Sequence, residues 1–118
     1  MIDRWVEFLT KCLDEDESAA RDLARAYRGP WSVLDCMVLD AGGDTVVYDE
    51  YHWGPLPHIA RHDPARVLRE VEAKRNLIAV AETAYYAADH YASDGILRSL
   101  AAVYSDHPDY PKDDDGDG

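Results

Sequence analysis

The chain has 118 residues, 24 of them acidic and 12 basic, for a formal net charge of −12. That length is near the usual size of one compact domain, and a field of that sign repels nucleic-acid phosphates and anionic membrane surfaces, which disfavours general DNA or RNA binding. With 47% of residues apolar and eight tyrosines, the chain has enough to bury to exclude bulk disorder.

The first predicted element is an amphipathic helix from Ile2 to about Tyr27. Val6, Leu9, Leu13, Ala20, Leu23, Ala24 and Tyr27 recur at helical spacing, and Trp5, Phe8 and Cys12 widen the stripe. The acidic run Asp14 to Glu17 sets one charge, Asp16, near that stripe without ending the helix. Gly29-Pro30 ends it, because glycine tolerates a left-handed cap and proline lacks the next donor.

Trp31 to Leu39 and Thr45 to Tyr51 then read as two strands joined by Asp40-Ala-Gly-Gly-Asp44, a β-hairpin. On a continuous first strand, Trp31, Val33, Asp35 and Met37 share one face and Leu34, Cys36 and Val38 the other. A lone hairpin is marginal in water, so helical support or intermolecular pairing is expected. A loop with a short helical turn over His58 to His62 leads to Asp63-Pro64, an N-cap followed by the residue favoured at the first helical position.

From Pro64 the pattern Val67, Leu68, Val71, Ile78, Ala81, Tyr85, Ala88 predicts a long helix to about Tyr91. A rod of roughly 40 Å exceeds what one small core covers, so part of it is expected to pack on another protomer. Ser93-Asp94-Gly95 is read as its break, and Ile96 to Tyr104 as a short last helix. The architecture is therefore α+β, one domain over residues 1–110, with 111–118 a disordered acidic tail.

No apolar run approaches the ~20 residues that span a bilayer, and the start has neither a basic leader nor an apolar stretch of signal-peptide length. A cytoplasmic protein is expected, and Cys12 and Cys36, without paired spacing, fit a reducing compartment.

The order of helix, Gly29-Pro30-Trp31, hairpin, His58-Ile59-Ala60, Asp63-Pro64-Ala65-Arg66-Val67-Leu68-Arg69-Glu70-Val71-Glu72 and the late Asp106-His107-Pro108-Asp109-Tyr110 resembles an uncharacterised small-protein family of actinobacteria and their phages. More loosely it is similar to the Ead-like early proteins of temperate phages. The resemblance spans most of the chain to Tyr110 and carries no chemistry. It implies a phage or prophage accessory protein, oligomeric through its long helix and working in a bacterial host cytosol.

Candidate chemistry is sparse. His58 and His62, four apart, could share one side of a helical turn and begin a metal site, but no third ligand is fixed by spacing. The plainer reading has His62 and Asp63 organising the helix start. Arg61, Arg66, Arg69, Lys74 and Arg75 form the one basic cluster, and with His62 at a helix N-terminus they could hold an anion or nucleotide. Glu70 with Lys74 and Glu72 with Arg75 read instead as exposed pairs, which leaves Arg61, Arg66 and Arg69 as the anion candidates.

Asp35, Asp40, Asp44, Asp49 and Glu50 do not match a calcium loop and read as solvent-facing charges. The chain has no nucleophile elbow and no phosphate loop, and no cofactor is expected. Among the aromatics, Trp31 reads as a core anchor, whereas Trp53, Tyr51, Tyr85 and Tyr86 suit a protein interface. The first expectation is a non-catalytic accessory protein that binds a host or phage protein. The alternatives are a nucleotide-sequestering counter-defence protein and a small metal-dependent enzyme.

Overall fold

The computed structural model describes residues 2–49 and 54–112. Its elements are α1 (Ile2–Ala26), β1 (Ser32–Leu34), β2 (Met37–Leu39), β3 (Thr45–Tyr48), α2 (Leu56–Arg61), α3 (Pro64–Tyr86) and α4 (His90–Ala101), followed by a 3-10 turn over Ala102–Tyr104. The class is α+β, as expected; among the described residues there are four α-helices and, in place of the expected two-stranded hairpin, a three-stranded antiparallel sheet. Among the described residues no helix is long and apolar enough to cross a membrane. Two compact units make up the chain: residues 2–15 with 72–112, and residues 16–71. Helices α1 and α3 contribute to both.

In the first unit the buried face of α1 is Ile2, Trp5, Phe8, Leu9, Cys12 and Leu13. These follow three-and-four spacing, the pattern that puts side chains on one stripe of a helix. Val6 is only half-buried and Leu23, further along, is exposed, so the stripe centres on Trp5, Phe8 and Cys12 rather than on Val6. Ile78 and Ala81 of α3 and Leu97 and Ala101 of α4 are buried as well. Leu9 and Leu13 are essentially inaccessible, each contributing about 1.5–3 kcal/mol of burial.

The last described segment closes over α1. Tyr104, His107 and Tyr110 set their rings edge-on to Phe8 at 6.3, 5.4 and 5.5 Å, and Tyr110 does the same to Trp5 at 5.6 Å. Polar ties surround these rings: Lys11 pairs with Asp109, His107 Nε2 lies 3.1 Å from Glu15, and Arg75 donates to Asp14 at 2.9 Å. Arg4 donates to the Lys112 carbonyl at 3.2 Å. Residues 113–118 of the expected tail lie outside the described residues.

Helix α3 ends earlier than its sequence pattern suggests. The Asp89 N–H donates to the Ala84 carbonyl at 2.9 Å and the Ala88 N–H to the Tyr85 carbonyl at 3.0 Å, with Ala88 at φ +68°. That pair of bonds is the Schellman closure, in which the left-handed position normally falls to glycine. Asp89 then starts α4, its carboxylate accepting the Ala92 N–H at 3.1 Å. The break expected at Ser93 to Gly95 is thus displaced to Ala87-Ala88-Asp89, and Ser93, Asp94 and Gly95 are helical. An added Cβ at Gly95 would meet nothing within 4 Å, so this glycine is not required by a close approach.

In the second unit the stretch read as one strand from Trp31 to Leu39 is two strands. Leu34 pairs with Met37 across Asp35-Cys36, and Asp35 takes φ +53°, a conformation that aspartate tolerates better than bulkier residues. The turn resets the side-chain alternation, so the two faces expected of a continuous strand do not form. Strands β1, β2 and β3 make an antiparallel meander with a register shift at Val38/Leu39. Helix α2 packs on β1 and β2, with Val38 and Leu56 buried, and supplies the support a hairpin alone lacks. The β2–β3 loop is tied by Asp40, whose Oδ1 accepts the Gly42 and Asp44 N–H groups at 2.9 and 2.8 Å.

The neck of this unit is built on one carboxylate. Asp63 is buried; its Oδ1 accepts the Arg66 N–H at 2.8 Å, capping α3, and its Oδ2 accepts the Trp31 N–H at 2.9 Å. The Trp31 indole donates to the Tyr27 carbonyl at 2.9 Å, so this ring is half-buried and hydrogen-bonded rather than a deep core anchor. Gly29 fits because a Cβ there would lie 3.0 Å from the Ala65 Cβ and 3.2 Å from the Asp63 carboxylate.

Candidate functional site

The sequence-derived candidates fall on both units. The rings of His58 and His62 lie 4.2 Å apart, tilted by 33°, with His62 Nδ1 2.8 Å from the His58 carbonyl. A carbonyl only accepts, so Nδ1 of His62 carries the proton and helps close the end of α2. Asp63, the nearest carboxylate in sequence, is already committed to two backbone donors. Among the described residues no three His, Cys, Asp or Glu side chains converge as a metal site would require.

The basic cluster is thinner than its sequence suggests. Arg66, expected to be unpaired, donates to Glu70 at 3.0 Å, and Lys74 sits 5.6 Å from the Tyr104 ring centroid. Arg61 and Arg69 are exposed and have no ion-pair partner among the described residues. Tyr51 and Trp53, and with them Glu50, lie outside the described residues. Tyr85 stacks on His90 at 4.4 Å and 20°, and meets Tyr86 edge-on at 5.2 Å, leaving Tyr86 76% exposed.

Among the concavities that described residues of the first unit line, two bear on binding. One is an open groove of about 620 Å³ between α3 and α4, lined chiefly by Leu77, Tyr91, Ile96 and Leu100. Within its lining Leu77 is 43% exposed and Tyr91 92%, and Val80 of α3 and Val103 after α4 are exposed as well, apolar surface that is costly to leave in water. Ala92, Ile96 and Val103 are spaced by four and seven along α4 and its following turn, which puts them on one side.

The second is a cleft of about 350 Å³ framed by the start of α1, the end of α3 and α4. Two guanidiniums flank Trp5, that of Arg4 at 5.6 Å and that of Arg98 at 5.0 Å from the ring. Arg98 is neutralised by Asp94, its Nε lying 3.0 and 2.9 Å from the two carboxylate oxygens. His90, stacked on Tyr85, and Ser93 complete the polar lining.

Apart from Tyr85, whose role was expected at an interface, these residues carry no recognisable motif. Their spacing on α4, His90, Asp94 and Arg98 at four-residue steps, is visible only if a helix starts at His90, and the displaced break conceals it.

Fold and surface together define a small α+β protein with an apolar groove between helices and a cleft mixing aromatic and basic groups. Residues 2–113 match the family described as a family of unknown function (DUF6221), and the chain belongs to that family. No curated protein and no solved structure gives a significant match.

Proposed function

We propose that the protein is a non-catalytic accessory factor that binds a host or phage protein in the bacterial cytosol, through the α3–α4 groove. The observation that carries this reading is an open groove lined chiefly by apolar groups, in which Leu77 and Tyr91 are exposed. An amphipathic helix of a partner, laying apolar residues at three-and-four spacing into such a groove, is a recurring mode of recognition. The protein's negative charge would favour a partner with a basic rim. A second copy of the chain, docking through the same helices, is the other occupant this reading allows.

The test is quantitative affinity capture from host cells with the wild-type chain and with Leu77→Asp and Tyr91→Ala, alongside native mass spectrometry at several concentrations. A specific protein retained by the wild type and lost at least ~10-fold with Leu77→Asp supports a heterologous partner. Concentration-dependent dimers lost in the same variant support self-association. A monomer whose captured proteins are unchanged by both substitutions removes the groove from the account.

Anion binding at Arg61 and Arg69 is the second reading, favoured by their exposure and by the absence of an ion-pair partner among the described residues. Binding of a nucleoside triphosphate that survives Arg61→Gln/Arg69→Gln would eliminate it.

A further inference from the structure

We infer that the cleft between the start of α1 and α4 is a binding site for a small, flat, monoanionic ligand of the aromatic carboxylate class. Three observations converge there, and the protein's own contacts do not use up the chemistry they offer.

The first is an unanswered hydroxyl. Ser93 is 2% exposed and lines the cleft, and among the described residues its side chain has no hydrogen-bond partner. Buried polar side chains are overwhelmingly paired, so a hydroxyl left over at the wall of a ligand-sized space marks where a bound molecule places a polar atom.

The second is charge. Asp94 cancels Arg98, while Arg4 has no carboxylate partner among the described residues and bonds only to the Lys112 carbonyl. One uncompensated guanidinium suits one carboxylate, which it can grip through two parallel N–H donors. A polyphosphate would meet a chain of net charge −12 with a single uncompensated guanidinium in the cleft to offset it.

The third is shape. The stacked Tyr85–His90 pair, together with Trp5 and Leu97, offers planar and apolar surface, and about 350 Å³ is enough for a bicyclic ring system with a short acidic arm. The ring would lie on these side chains, with its carboxylate at Arg4 and a ring heteroatom or hydroxyl at Ser93.

The experiment is isothermal titration of the full chain with benzoate, nicotinate and indole-3-carboxylate, each paired with its uncharged primary amide. Arg4→Gln, at an exposed position, and Ser93→Ala are titrated in parallel after their thermal midpoints are measured. The expected result is saturable binding of at least one acid. Its amide, and the acid on Arg4→Gln, should bind ~10-fold or more weakly, as loss of a charge-assisted contact implies. Ser93→Ala should weaken the best acid several-fold. The inference is overturned if no acid binds below about millimolar concentration, or if acid and amide bind alike, or if Arg4→Gln leaves the affinity unchanged. None of these outcomes depends on what occupies the α3–α4 groove, because Arg4 and Ser93 do not line it.

Discussion

At single residues the clearest dependence is on Asp63. Its two carboxylate oxygens satisfy backbone donors on two segments, Trp31 and Arg66. Replacing it with alanine removes a helix cap and strands a part-buried N–H, and should lower stability by about 2 kcal/mol in chemical denaturation. Gly29→Ala should be destabilising for a separate reason, since the new methyl arrives 3.0 Å from the Ala65 Cβ. The motif Gly29-Pro30-Trp31 and the pair Asp63-Pro64 are both plain in the sequence as a helix end and a helix start. What the sequence does not display is that they are halves of one contact, because their spacing, 32 positions from Trp31 to Asp63, carries no periodicity.

Among the elements, the junction between α3 and α4 reverses an ordinary reading of glycine and alanine. Ala88 occupies the left-handed position and Gly95 lies inside a helix with open space around it. Ala88→Gly should therefore stabilise by about 1 kcal/mol by relieving the left-handed strain. Gly95→Ala should also stabilise, by about 0.5–1 kcal/mol, through helix propensity. Thermal midpoints that rise in both variants would agree with the junction at Ala88; a fall with Gly95→Ala would return the break to Ser93–Gly95. The end of the long helix is hidden in the sequence because alanine is the best helix former, so Ala87-Ala88 reads as a continuation. In the sheet, the apolar run from Trp31 to Leu39 concealed a two-residue turn, since Asp35-Cys36 lacks the glycine or asparagine that usually announces one. Helix α1 and the Asp63-Pro64 start of α3 were legible because each has a strong local signal, a stripe in one case and a cap in the other.

For the molecule as a whole, electrostatics supplies a test of how the segment after α4 is held. A hydrogen bond from Lys11, and its charge, hold the Asp109 carboxyl below the usual carboxylate range; the same contact pushes the Lys11 ammonium up. The carboxylate's contribution to stability is thus present above the ordinary carboxylate range and is lost as pH falls through its depressed value. The lysine's contribution is present below the ordinary lysine value and is lost as pH rises through its raised value. Asp109→Asn should flatten the acid limb of the thermal midpoint against pH relative to wild type. Because both side chains are about half-exposed, the difference should be small and should shrink further in about 1 M salt. An acid limb identical in the two proteins would show that the pair does not anchor the segment. The groove and the cleft were the least legible features, since each is assembled from residues on separate helices, and neither Arg4 nor Ser93 sits in a pattern of its own.

The neck at Asp63 has one more consequence. The chain departs at Trp31 and returns at Asp63, and these two residues are hydrogen-bonded neighbours. The three strands and α2 lie on an excursion whose ends meet, and the cost of closing it rises only with the logarithm of its length, about 0.6 kcal/mol for each doubling. Such a segment can behave as an interchangeable cassette. Extra residues at the Gly42-Gly43 tip, where Gly43 has open space around it, should be absorbed without disturbing the neck.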